Sequence, residues 1–100
     1  MTVYVDALFR CGPTSRWPYT HACHMLCDGD VKELHQMAAR IGLKRSWFQG
    51  KHVNPALHHY DVTASKRTIA LRYGAKEITG VQFSELIKRR TEEAQRTIQK

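Results

Sequence analysis

Residues 2–9 read Thr-Val-Tyr-Val-Asp-Ala-Leu-Phe, and the fold prediction starts from this stretch. It is rich in β-branched and aromatic side chains, and apart from Asp6 it is apolar at both alternating sets of positions. A strand that is apolar on both faces is typical of a sheet covered on both sides by other elements. The stretch therefore predicts a layered fold with a buried sheet.

Helices and short strands alternate along the rest of the chain. Asp30 and Glu33 have the spacing of a capping box, and the apolar residues after them predict a helix over residues 30–41 that stops at Gly42. The remaining predicted elements are, in chain order, a loop over 10–27, a strand over 43–49, a loop over 50–60, a helix from the Thr63 cap to Gly74, a strand over 76–79 and a helix from Val81.

The resulting order β-α-β-α-β-α predicts an α/β fold class. We expect a small three-layer or two-layer domain with a short, mainly parallel sheet and a C-terminal helix. Residues 1–100 are predicted to form one domain, with a core over about 2–88 and a polar helical segment over about 89–100.

The composition limits the classes of function. The 100 residues carry 16 Lys and Arg against 9 Asp and Glu, a formal net charge of +7, so an anionic partner is favoured. The chain is too short for a large multi-domain enzyme. No apolar run reaches the roughly 18 residues of a membrane helix, and the start lacks the basic region of a signal peptide. We therefore expect a cytoplasmic protein without membrane contact, in the host cytoplasm if it is phage-encoded.

Ionisable side chains collect where the predicted strands end. Because the carboxyl ends of parallel strands meet at one edge of a sheet, we expect these side chains to lie close together. The carboxylates and imidazoles concerned are Asp6, His21, His24, Asp28, His52, His58, His59 and Asp61.

Carboxylates combined with imidazoles are suited to a divalent cation or to acid and base catalysis. The predicted metal ligands are Asp6, His24, His59 and Asp61, and Asp28 is a further catalytic candidate. Lys66 and Arg67, at the start of the second helix, are predicted to hold a phosphate.

These residues predict a metal-assisted hydrolase, such as a nuclease, phosphoesterase or nucleotide hydrolase, acting on a nucleotide or nucleic acid. The alternative is a non-catalytic accessory module that binds nucleic acid or a host protein through Lys88, Arg89 and Arg90.

The cysteines suggest a third interpretation. His21-x-x-His24-x-x-Cys27, with Cys23 between, resembles half of a zinc site, but the spacing fits no standard finger. Cys11, Cys23 and Cys27 are an odd number, so we favour free thiols over a disulfide framework.

Several short motifs, taken in order, resemble one family. They are Val-Asp-Ala at 5–7, Trp17 and the His24 region ending at Asp28, Glu-Leu-His at 33–35, Ala-Arg-Ile-Gly at 39–42, Arg45 with Phe48, His-Tyr-Asp-Val at 59–62 and Gly74-Ala75. Together they resemble domain of unknown function 4031, a small family of phage and bacterial proteins, over residues 2–88. The resemblance adds His35 to the catalytic candidates, Arg45 to the phosphate-binding candidates, and Glu33 and Tyr60 to the residues of interest. It assigns no activity.

Overall fold

The computed structural model of the protein describes residues 2–14, 17–51 and 54–98, and His52 lies outside this description. Within it, five short strands and three α-helices follow one another, with two 3-10 turns at 45–47 and 55–57. The elements are β1 (Val3–Val5), β2 (Phe9–Arg10), β3 (His21–Cys27), α1 (Val31–Arg40), β4 (Tyr60–Val62), α2 (Ala64–Arg72), β5 (Lys76–Glu77) and α3 (Gly80–Ile98). The mixed α/β class with a C-terminal helix is confirmed.

The sheet is built around β3. Strands β1 and β2 pair antiparallel with the two ends of β3, and β4 pairs antiparallel with its middle. Strand β5 pairs with β1, and this is the one parallel pair among the described strands. The prediction of a mainly parallel sheet is therefore wrong, because β3 lies in the stretch predicted as a loop over 10–27 and no strand was predicted at β4.

A bulge separates β1 from β2. Val5 pairs with Met25 and Phe9 pairs with Ala22, so the three residues 6–8 lie opposite the two residues 23–24 of β3. The first strand predicted over 2–9 is consequently two strands with an irregular step between them. Bulges redirect a side chain and often lie beside functional sites, and here Asp6 occupies the step.

Helices cover both faces of the sheet, giving three layers. Val5, Met25 and Val62 point to the face covered by α1 and α2, where they form the larger core with Leu34 and Ala70. The opposite face, which carries Leu26, packs against Ile78 and against Leu86, Phe83 and Ile87 of α3. Because strand side chains alternate between faces, His24 and Asp61 belong to the α3 side.

Two other predicted elements differ from the structure. Residues 43–49 do not form a strand: they hold the 3-10 turn at 45–47 and a single bridge between Gln49 and His59. The 50–60 stretch contains the second 3-10 turn and the first residue of β4. The three helices match their predictions within a few residues, with Asp30 and Thr63 accepting the capping hydrogen bonds of α1 and α2. In the part of the chain described, no helix combines the length and apolarity needed to cross a membrane.

Gly74 ends α2 in a left-handed conformation, with φ of +104° and open space around its missing side chain. Gly74→Ala should therefore destabilise the protein by about 1 kcal/mol through backbone strain alone. Gly80→Ala is the matched control, since Gly80 lies in helical backbone and also has open space. Urea unfolding of both variants checks the prediction, and an equal change in both would contradict it.

Candidate functional site

The candidate site lies on the face of the sheet that α3 covers. His24 of β3 is the cross-strand partner of Asp61 of β4, and His59 immediately precedes β4. The site therefore consists of side chains on two adjacent antiparallel strands. It does not lie at a carboxyl edge of parallel strands, although four of the residues predicted for that edge are together.

Asp6 fixes the orientation of His24. One oxygen of its carboxylate accepts from Nδ1 of His24 at 2.7 Å, and the other accepts from the His24 backbone N–H at 2.6 Å. A carboxylate that accepts from Nδ1 leaves the lone pair of the neutral ring on Nε2. Asp6 thus presents Nε2 of His24 as a ligand atom.

His59 is held in the same way by a backbone carbonyl. Its Nδ1 donates to the carbonyl oxygen of Leu57 at 2.7 Å, and its Nε2 lies 3.4 Å from Oδ1 of Asp61. In the neutral ring, Nε2 and Oδ1 are both acceptors, so a proton or a cation between them is required for attraction. The hydrogen bond to Asp61 raises the pKa of His59 above its ordinary value, and the same bond lowers the pKa of Asp61.

His24, His59 and Asp61 form a group suited to a metal ion. One ligand atom from each residue lies within 4.8 Å of the others, and no other such group of three occurs among the described residues. All three are partly exposed. Two imidazoles and a carboxylate, with remaining positions open to solvent or substrate, are typical of catalytic sites for zinc and iron. Asp6 was predicted as a ligand, but both of its oxygens contact His24.

Aromatic rings surround His24. Its ring packs between those of Phe9 and Phe83, at centroid distances of 5.1 and 5.5 Å, and meets the ring of His59 edge-on at 5.3 Å. This packing restricts the motion of His24, in addition to the two hydrogen bonds that His24 donates to Asp6. A ligand held in a fixed position by neighbouring groups is a general feature of functional metal sites.

Asp28 lies at the other end of β3, away from this group. Its carboxylate accepts from the backbone N–H of Thr2 at 2.8 Å and from the hydroxyl of Tyr4 at 3.2 Å. Burial raises the pKa of Asp28, but the hydrogen bonds from Thr2 and Tyr4 outweigh it, and the net change is downward. The structure therefore gives Asp28 a role in joining β1 to the end of β3.

His35 and Tyr60 lie on the opposite face of the sheet. Nδ1 of His35 and the hydroxyl of Tyr60 are 2.8 Å apart, and the ring of Phe48 meets His35 edge-on at 4.5 Å. Tyr60 is fully buried in the larger core, although its neighbours in sequence are His59 and Asp61. Glu33 is on the same helix as His35. Neither of these two residues, which the resemblance added, belongs to the group of His24, His59 and Asp61, called the His24 group below.

His35 should make stability depend on pH. Burial lowers its pKa below the ordinary 6.5, assisted by the positive charges of Arg45 and His58. The unfolded chain therefore binds the proton first, so the contribution of His35 is complete above pH 6.5 and is lost as pH falls below it. Urea unfolding between pH 5 and 8 should show that His35→Gln removes this part of the slope. Identical slopes for the variant and the parent would contradict the prediction.

The predicted phosphate-binding residues are spread over the molecule. Nε of Arg67 donates to the backbone oxygen of Asp6 at 2.9 Å and its guanidinium pairs with Glu77 at 3.4 Å, so these contacts occupy it. The ammonium of Lys66 lies beside Gly42 at the end of α1. Arg45 belongs to the 3-10 turn at 45–47, near His35. None of these three contacts the His24 group.

Side chains of β3 alternate between the two faces of the sheet, so the cysteines and His24 of the suggested zinc half-site lie on different faces. Cys23 and Cys27 point into the larger core, whereas His24 points to the α3 side. Burial raises the pKa of the Cys23 thiol to about 12, so a thiolate ligand is strongly disfavoured there. Cys11, Cys23 and Cys27 are free thiols, as predicted.

Several residues at the site were missed by the sequence analysis. Phe9 and Phe83 were assigned to strand and helix packing, and the carbonyl of Leu57 has no sequence signal. A signal for β3 was available: residues 22, 23 and 25–27 are Ala, Cys, Met, Leu and Cys, followed by Asp-Gly-Asp. A short apolar run bounded by turn residues is typical of a buried strand.

The fold and the site define a small three-layer α/β protein with a histidine and aspartate group exposed beside its C-terminal helix. The chain belongs to the family described as protein of unknown function (DUF4031), which it matches over residues 3–92. No curated protein and no solved structure matches it.

Proposed function

We propose that the protein is a metal-dependent hydrolase of phosphate esters, with one divalent cation bound by His24, His59 and Asp61. The observation that carries this proposal is that hydrogen bonds at Nδ1 fix the tautomers of His24 and His59. Nδ1 of each ring donates to an oxygen, of Asp6 or of Leu57, so the acceptor atom of each neutral ring is Nε2, and Nε2 of His59 lies 3.4 Å from Oδ1 of Asp61. Metal-binding histidines usually have this second hydrogen bond.

Each residue has a definite part in the reaction. The two imidazoles and Asp61 hold the cation, and Asp6 maintains His24 in the metal-binding tautomer. A divalent cation held by these residues would lower the pKa of a water molecule and polarise a phosphoryl oxygen. The water would lose a proton to solvent and its oxygen would bond to phosphorus, while the bond from phosphorus to the leaving oxygen would break and the leaving oxygen would take up a proton from solvent.

The net charge of +7 supports an anionic substrate. Because Arg67 is occupied and Arg45 and Lys66 lie elsewhere, the cation itself supplies the charge that attracts phosphate at the reacting position. This differs from the sequence prediction, in which three basic side chains held the phosphate.

The alternative of a basic binding surface on α3 has less support. Arg90 donates to the carbonyl of Gly29 at 3.2 Å, and Arg89 approaches Glu93 at 4.0 Å. Two of the three side chains therefore have partners within the protein. An affinity for nucleic acid that disappears when Lys88 and Arg89 are replaced by glutamate would favour this alternative.

A thermal-shift panel with Zn²⁺, Mn²⁺, Co²⁺, Mg²⁺ and Ca²⁺ is the first test. At 100 times its dissociation constant, a metal should stabilise the protein by about 2.7 kcal/mol. We expect a metal that accepts imidazole ligands to raise Tm, and expect Ca²⁺ to have little effect. The metal that raises Tm should also restore hydrolysis of p-nitrophenyl phosphate after treatment with EDTA.

Asp61→Asn should abolish both effects, because it removes the charged ligand with little change in shape. Asp28→Asn is the matched control: it makes the same chemical change at the far end of β3. Equal metal-dependent activity in the Asp61 variant and the parent protein would contradict the proposal.

A further inference from the structure

Two apolar clefts flank the His24 group. The first has a volume of about 240 Å³, and His24 and His59 lie in its wall together with Leu26, Leu57 and Phe83. The second has a volume of about 230 Å³, and Asp61 lies in its wall together with Phe9, Trp17 and Ala22. The three proposed metal ligands are thus divided between the walls of two separate clefts.

The volume of each cleft limits the size of the group that it can bind. Pockets for whole drug-sized molecules have volumes of about 300–1,000 Å³, so each of these clefts has room for a single ring system. Aromatic side chains are present in both: Phe83 in the first, and Phe9 and Trp17 in the second. Among the described residues, none accepts a hydrogen bond from the buried indole N–H of Trp17.

Accepting the proposed function, we infer that the substrate is a phosphodiester of single-stranded nucleic acid, with the bases on either side of the reacting phosphate in the two clefts. A phosphate monoester has a substituent on one side only and leaves one cleft unused. A diester has one on each side. Aromatic rings that stack on bases are the usual means of binding single strands without sequence preference.

The inference also predicts that a duplex is not a substrate. Bases in a duplex are stacked on each other and paired, so neither is free to enter a cleft that holds one ring. The hydrolysis is the one given above, with an internucleotide oxygen as the leaving group. The products are two shorter strands, one with a terminal phosphate and the other with a hydroxyl.

The test compares four substrates with the metal-loaded full chain. They are a fluorescently labelled single-stranded oligonucleotide, its duplex, bis(p-nitrophenyl) phosphate and p-nitrophenyl phosphate. We expect hydrolysis of the single strand but not of the duplex, and a higher kcat/KM for the p-nitrophenyl diester than for the monoester.

Trp17→Ala should lower kcat/KM for the single strand and for the p-nitrophenyl diester by roughly tenfold, the effect of one stacking contact, and should lower it by less for the monoester, whose single ring can occupy the other cleft. Trp47→Ala is the matched control, because Trp47 is exposed and lies in the wall of neither cleft.

The outcomes separate this inference from the function on which it rests. Preference for the monoester, equal cleavage of duplex and single strand, or a Trp17 variant that loses activity equally on all substrates would overturn the inference and leave a metal-dependent hydrolase. Bound metal without hydrolysis of any of the four substrates would overturn both.

Discussion

Replacing His24 by alanine should lower the affinity of the protein for zinc by more than about a hundredfold. Loss of a partner that merely orients a metal-binding histidine costs about 10–100-fold in affinity, and this variant removes a ligand itself. Asp6 also loses the ring that its carboxylate contacts at 2.7 Å. Isothermal titration of the purified protein with zinc at pH 7.5 measures the change.

His21→Ala is the matched control for this variant. His21 lies on the same strand, is exposed, and contacts the hydroxyl of Thr20 at 2.9 Å. The zinc affinity of the His21 variant should equal that of the parent. If both variants lose affinity equally, the metal binds at the cysteine and histidine motif of β3 that the sequence suggested. If neither loses affinity, the proposed ligand set is wrong.

Replacing Leu34 by alanine should destabilise the protein by about 2–5 kcal/mol, the usual range for a buried leucine. Leu34 has no exposed surface and belongs to the core that α1 forms against the sheet. In a domain of about 100 residues, each kcal/mol lowers Tm by about 4–8 °C. Differential scanning calorimetry should therefore show a decrease on the order of 10 °C or more.

Leu8→Ala serves as the control, because Leu8 is 40% exposed. Its effect should remain within about 0.5 kcal/mol, as for most surface substitutions. A Leu34 variant as stable as the Leu8 variant would contradict the placement of α1 on the sheet.

The helices were predictable from the sequence because their signals are local. Asp30 and Thr63 accept capping hydrogen bonds where their spacing indicated, and Gly42 and Gly74 have the positive φ that a helix stop requires. Caps and stops depend only on neighbouring residues, so no knowledge of the tertiary structure is needed to locate them.

The sheet was harder to predict because the apolar run of its central strand is short and is interrupted by His24. Residues 21–27 contain two histidines, and the preceding stretch has Gly12, Pro13 and Pro18, which favour a loop. Strand pairing also depends on residues distant in the chain: His24 and Asp61 are partners across β3 and β4. Once β3 was assigned to a loop, the alternation of elements favoured a parallel sheet.

The candidate site was predicted in part. The argument that selected its residues assumed a parallel sheet, whereas antiparallel pairing brings them together in the structure. Asp6, His24, His59 and Asp61 were selected because an ionisable group near the end of a strand is typical of ligand sites in parallel sheets. The structure brings them together by antiparallel pairing and a bulge. Asp28, Lys66 and Arg67 were selected for their positions in the predicted plan, and His35 and Arg45 through the family resemblance, but all five lie against other parts of the protein.

Nitrogen-15 NMR of the imidazole rings during a zinc titration tests the central claim most directly, because the two ring nitrogens give separate signals. The proposed site predicts that Nε2 of His24 and Nε2 of His59 shift on binding one equivalent of zinc, that both Nδ1 atoms remain protonated, and that the ring of His21 is unaffected. Shifts at Nδ1 of either ring, or at His21 in place of His24 and His59, would contradict it.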